Sequence, residues 1–262
     1  MTYAVTMSRV IGSEWTKLRS LRSNWITLGV ATALTLGLAT AFGYSFNQDV
    51  DAGDATASVA NAVNVSYIGL DLLALILGVV GVLQISGEYG SGLIRASATA
   101  VPRRWPLLAA KASALLGLVI PVVIVVSVGS FLVVQAMLGD AGAGLGDAGV
   151  ARAVVGATAY PIAVLLIGLS IGALVRHTAA AITVYVTALL VLPALLPAAL
   201  PERIEDATVK YTPVAAAQSL YTLDPAGAPV ELLTPAAGAL VLTAWVAALA
   251  ALATLTFQHR DL

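Results

Sequence analysis

ASALLGLVIPVVIVVSVGSFLVVQAMLG, residues 112–139, carries no charged side chain. At about 1.5 Å of rise per residue, a run of roughly 20 apolar residues crosses a ~30 Å hydrocarbon core, and this run is longer. A helix on the surface of a soluble protein shows a polar face at every turn, and this one does not. Working outward, uncharged runs recur at 23–48, 153–175, 177–201 and 232–258, and a sixth, 64–86, carries one acid, Asp71. Together they predict an all-α membrane protein with six transmembrane helices, at about 25–47, 64–86, 107–138, 152–175, 178–200 and 235–257.

The chain has 262 residues, 59% hydrophobic and 10% charged, so the spans leave only short connections. One membrane domain over 1–262 is the expected organisation, since a second globular unit needs about 50 residues. There is no cysteine, which excludes disulfides and cysteine-ligated zinc. His177 and His259 lie far apart and read as polar anchors at helix ends rather than metal ligands. Ala39-Thr40-Ala41 has the small-residue pattern of a signal cleavage site. The apolar run before it exceeds the 7–15 residues of a signal core, so the first span is expected to be retained.

Orientation follows from the bases. With the N-terminus inside, Arg9, Lys17, Arg19, Arg22, Arg95, Arg103, Arg104, Lys111, Arg176 and Arg260 lie on the inner side. Arg152, Arg203 and Lys210 remain outside, ten against three of the thirteen. The positive-inside rule then places both termini in the cytoplasm of a multi-pass protein. The largest outer segment, 201–234, holds a possible short helix at 214–221. It reads either as a hairpin folded back onto the membrane or as a surface loop.

Two segments stand out on the inner side. Val10, Ile11, Trp15, Leu18, Leu21 and Trp25 fall on one helical face, with Arg9, Lys17 and Arg19 over much of the remainder. This predicts an interfacial amphipathic helix over 8–22. The second is the connection from Gly87 to Trp105. Gly90 and Gly92 permit a sharp turn, 93–100 can form a short helix, and Pro102 stops it. Arg103, Arg104 and Lys111 then anchor the third span at the inner surface. The order of acid, aromatic, glycine, helix, proline and arginine suggests a docking element.

Within the spans, Asp71 is either an acid reaching the outer interface or capping a deep helix start, or a pathway or interface acid facing other helices. Gly168 and Gly172 form a small-xxx-small pair that permits close packing. Pro121, Pro193 and Pro197 are expected to bend or end helices. No Gly-x-x-x-x-Gly-Lys-Ser/Thr loop cradles a phosphate, so nucleotide hydrolysis must come from another chain. The spans hold no histidine, no cysteine and no paired carboxylates, so hydrolytic chemistry has no obvious base, which weighs against an intramembrane enzyme. A secondary transporter would show internal repeats, and none is evident. These remain the two alternatives.

Ser13-Glu14-Trp15-Thr16-Lys17-Leu18-Arg19-Ser20 before an apolar helix resembles the N-terminus of bacterial ABC-2 type exporter permeases, especially actinobacterial ones. Glu88-Tyr89-Gly90-Ser91-Gly92-Leu93-Ile94-Arg95, with Pro102-Arg103-Arg104 and Ala109-Ala110-Lys111-Ala112, is similar to that family's cytoplasmic loop. Tyr211-Thr212-Pro213-Val214-Ala215-Ala216-Ala217-Gln218 is similar to a segment before its last helix. Leu93 stands where many relatives have threonine. The resemblance implies an ABC-2 type exporter transmembrane domain in the bacterial cytoplasmic membrane, paired with a second copy of this or a related permease. It also implies a separate ABC ATPase subunit that binds ATP and magnesium. This chain would then hold no cofactor, do no covalent chemistry and bind no nucleic acid. Its partners would be those subunits and the lipid bilayer. Glu88, Tyr89, Gly90, Gly92, Arg95, Arg103 and Arg104 would form the ATPase-coupling loop, and Glu14, Trp15, Lys17 and Arg19 the interfacial helix. The cargo expected from the apolar spans is hydrophobic or amphipathic: a drug, natural product, lipid or peptide.

Overall fold

The structure, a computed structural model, describes residues 6–93, 105–199, 201–228 and 230–259. Every regular element among them is helical. Six are long and apolar enough to cross a membrane: 22–52, 59–90, 105–141, 150–175, 178–196 and 235–258.

The chain begins with α1 (Met7–Ser20). Leu21 is extended, with φ −83° and ψ 108°, and α2 (Arg22–Ala52) starts at once on the new heading. Ile26, Val30, Leu34 and Phe42 remain exposed along α2, an apolar flank that water would not tolerate and lipid does. The second span is two helices. Ser58 caps α3 (Val59–Ser66) by accepting from the Asn61 amide. A turn at 67–69 interrupts it before α4 (Leu70–Ser91), which ends at Gly92 with φ 73°.

This corrects the connection expected between the second and third spans. Glu88, Tyr89 and Gly90 are helical and belong to the end of α4, not to a loop opening at Gly87. Lone glycines in a helix cost only about 1 kcal/mol each relative to alanine. Among the described residues of this connection, Gly92 is the one with a left-handed backbone. Arg95, Arg103, Arg104 and almost all of the expected 93–100 helix lie outside the described residues.

The third span, α5 (Trp105–Leu138), carries Pro121 without ending. The fourth is α6 (Val150–Val175). The fifth is α7 (Thr178–Val186), a π turn at Thr187–Val191, and α8 (Leu192–Ala199). Pro193 explains the wide turn. Proline has no N–H for the carbonyl four residues back and crowds it, and a π turn relieves that crowding. His177 caps α7, its Nδ1 accepting from the Ala180 amide at 3.3 Å. Two short helices follow, α9 (Glu202–Thr208) and α10 (Pro213–Tyr221), then α11 (Pro235–His259).

The core is built on α4 against α6, the most extensive helix contact. Without a hydrophobic drive between helices in lipid, close packing decides association. Here glycines let backbone meet backbone. A Cβ at Gly168 would strike the Gly78 carbonyl oxygen, and one at Gly172 would come within 2.7 Å of the Val82 carbonyl oxygen. The small-xxx-small pair is therefore a true seam. Tyr185 lies over Gly78 and donates to the Ala74 carbonyl at 2.9 Å, locking α7 onto the same seam.

The segment before the last span folds back into the bundle and is not a surface loop. Thr212 caps α10 by accepting from the Ala215 amide, with Pro213 at the first helical position. Ala215, Ala216, Ala217, Leu220 and Tyr221 are buried against α6 and α11. The Arg152 guanidinium donates to the carbonyls of Ser219, Leu220 and Thr222, at 3.3, 2.6 and 3.2 Å. A cation on the last carbonyls of a helix satisfies orphan acceptors and the helix dipole together.

Candidate functional site

At the end of the bundle where α4 stops and α5 begins, four charges from three helices form a closed ring. Glu14 of α1 takes Lys17 Nζ on Oε1 at 2.6 Å and Lys111 Nζ on Oε2 at 2.7 Å. Glu88 of α4 takes Lys111 at 2.6 Å and Lys17 at 3.1 Å on one oxygen, Oε1. Two acids alternate with two bases, so the ring is neutral. Its side chains run from sealed to open: Lys111 is 0% exposed, Glu14 1%, Glu88 12% and Lys17 40%.

Local sequence positions each member. Glu14 lies one turn from Val10 and one from Leu18, both buried, so α1 turns that stripe inward with the carboxylate in its middle. Lys111 follows Leu107 by one turn on the buried face of α5. Val10, Leu107, Ala110 and Phe257 form one buried apolar cluster, which includes the neighbours of Glu14 and Lys111 one turn earlier on their helices. Burial opposes the Lys17 charge, but its hydrogen bond to Glu14 and the charges of Glu14 and Glu88 outweigh that. Its ammonium is held above the ordinary value of 10.5.

Beside the ring, the Arg176 guanidinium sits 5.3 Å from the centroid of the Tyr89 ring. It also donates to the Thr256 carbonyl at 3.2 Å. Arg176 itself takes φ 60°, a costly conformation for a side-chain-bearing residue. The C-terminal ends of α4, α6 and α11 thus meet on one arginine.

The structure brings Glu14, Lys17 and Glu88 together with Lys111 and sets Tyr89 next to them. Two sequence expectations change. Lys111 is not an interfacial anchor but a fully buried partner of two acids. The inward face of α1 is centred on Val10, Glu14 and Leu18 rather than on the tryptophans. Trp15 keeps an exposed edge and lies along Gly117, at 3.3 Å from where a Cβ would stand. Leu21, Trp25 and Arg19 are exposed. Gly90 and Gly92 end α4 without joining the ring. Asp71 is at the other end of α4, in its first turn, accepting from the Tyr160 hydroxyl at 2.8 Å.

Chemically the ring is a joint. It has no nucleophile and no base open to a substrate. Among the described residues no group of three or more histidines and carboxylates could hold a metal ion. It ties α1, α4 and α5 where the connection to the third span leaves α4.

Residues 10–196, most of the chain and all four ring residues, match the family described as ABC-2 family transporter protein. The chain belongs to that family. It is a multi-pass membrane permease component of an ABC transporter. No curated protein matches it. The matched region of the permease ends before α9, so α10 and α11 lie beyond it.

Proposed function

We propose that this permease is the membrane half of an ATP-driven exporter in the bacterial cytoplasmic membrane, with both termini inside. It moves a hydrophobic or amphipathic cargo and works with a separate ATPase subunit and a second copy of this or a related permease. The observation that carries the reading is the four-charge ring. The connection after Gly92 is the segment an ATPase would grip. Any pull on it reaches Glu88, and through Lys111 and Glu14 it reaches α5 and α1 together. Glu88 in this reading transmits force inside the permease, and contact with the ATPase falls to Arg95, Arg103 and Arg104.

The test is reconstitution with the ATPase in proteoliposomes, reading ATP turnover and cargo movement side by side. The permease alone should hydrolyse nothing. Glu88→Gln keeps shape but loses a charged hydrogen bond, and should lower transport per ATP about tenfold while the complex still assembles. Arg95→Glu should weaken assembly itself. If both variants assembled and transported like the unaltered protein, the coupling assignment would fail.

A further inference from the structure

At the end of the bundle opposite the ring, two cavities meet at one residue. The first, about 360 Å³, is a mixed polar and apolar space whose polar groups come from Asn64, Tyr67, Asp71, Gln218, Tyr221 and Asp224. The second, about 190 Å³, is lined by Asp71, Tyr160 and Tyr185 and by apolar residues that include Leu75, Leu189 and Leu190. Asp71 is exposed to this space, and its carboxylate has no ion-pair partner among the described residues.

A second observation points the same way. Tyr67 is 4% exposed, and its hydroxyl has no hydrogen-bond partner among the described residues. Buried polar groups without partners are rare and call for an occupant. Tyr221 stacks on Tyr160 at 6.2 Å and meets Tyr67 edge-on at 5.9 Å, so three phenol rings cluster around the acid. Aromatic faces and a carboxylate both favour a cation. The π turn contributes Leu189 and Leu190 to the apolar arm, and such turns are frequent at functional sites.

We propose that Asp71, Tyr67 and Tyr221 bind the ammonium head of an amphiphile whose alkyl chain enters the apolar cavity between α4, α6 and the π turn. The head's N–H groups donate to the Asp71 carboxylate and the Tyr67 hydroxyl oxygen. The class is a primary alkylammonium, supplied either as cargo or as the headgroup of an ethanolamine lipid. This rests on the transport reading only for its role, because binding needs no ATPase.

The experiment is equilibrium binding of radiolabelled octylammonium to the full-length permease in phosphatidylcholine nanodiscs, with empty nanodiscs as the partition blank. Saturable binding above the blank is expected, with butylammonium weaker and with octanol and octyl sulfate failing to compete. Asp71→Asn should weaken binding about tenfold or more, the share of a charged hydrogen bond. Tyr67→Phe should also weaken it about tenfold, because the ammonium donor makes that hydrogen bond a charged one too. Should Asp71→Asn not fold, Leu190→Trp keeps the acid, fills the apolar arm and should abolish the advantage of octyl over butyl. Octylammonium binding unchanged in Asp71→Asn, or octyl sulfate competing equally, would overturn the site. So would a chain-length preference that survives Leu190→Trp. Discs containing phosphatidylethanolamine separate the sources: competition names the lipid, its absence names a free cargo, and either outcome retains the ammonium site. Binding without any export by the assembled transporter would refute the exporter reading and leave this site standing.

Discussion

The two ends of α4 treat an acid in opposite ways. Glu88, near the C-terminal end, is closed into a ring with two lysines and a second glutamate, and little water reaches it. Asp71, seventeen residues earlier and so about 25 Å away, faces open cavities with one phenol as its partner. Charge satisfied inside the protein makes a rigid joint, because breaking it leaves an ion buried and alone. Charge left unsatisfied makes a receptive site, because something else can complete it. One helix carries both, so movement at one end is delivered to the other.

The largest effect should come from breaking the joint. Lys111→Met leaves Glu14 and Glu88 facing each other with only Lys17 between them. It should cost about 3–5 kcal/mol, the usual consequence of removing one member of a buried pair. Thermal unfolding in detergent micelles measures this, and a shift no larger than that of an exposed lysine would remove the ring from the argument. Next comes the seam that makes α4 and α6 move together. Gly168→Ala forces a methyl against the Gly78 carbonyl and should cost about 1–3 kcal/mol by overpacking. Arg152→Met, which strips three carbonyls of their donor at the end of α10, should cost a similar ~1.5–3 kcal/mol.

Asp71→Asn sharpens the comparison most directly. An acid with no cation beside it has little stability to lose, so the change should fall within about 0.5 kcal/mol or be favourable. A cost like that of Lys111→Met would show that Asp71 is structural. Lys17→Met should also be small, below about 0.5 kcal/mol, because Lys17 is 40% exposed and solvent screens its pairs. Its folded-state value is raised, so its contribution is complete below pH 10.5 and disappears as pH climbs through the higher folded value. A titration of stability between pH 7 and 9 should show no transition from this residue.

The membrane fold was legible in the sequence because each span is a long apolar run, a local property. The short helix at α10 was legible too, since Thr212 and Pro213 mark its start. The ring was not. Glu14 and Lys111 are 97 positions apart, and nothing local says that they meet. Lys111 carried the look of an inner anchor, a base just inside a span. Glu88 carried the look of a loop, set between glycines. A weaker signal was present: Glu14 between Val10 and Leu18, and Lys111 after Leu107, each put a charge in the middle of an apolar stripe. Arg152 gave no signal, because its partners are backbone carbonyls of a distant helix.

The ring also has a history within each molecule's synthesis. Glu14, Lys17 and Glu88 leave the ribosome before Lys111, so the first two spans arrive with two acids and one base. That excess persists until the third span enters the membrane and brings its lysine. Chains halted after residue 93 should therefore be degraded faster than chains halted after residue 141, and pulse-chase of the two truncations reads the difference directly. The last charge to arrive acts as a clasp on the two helices already made.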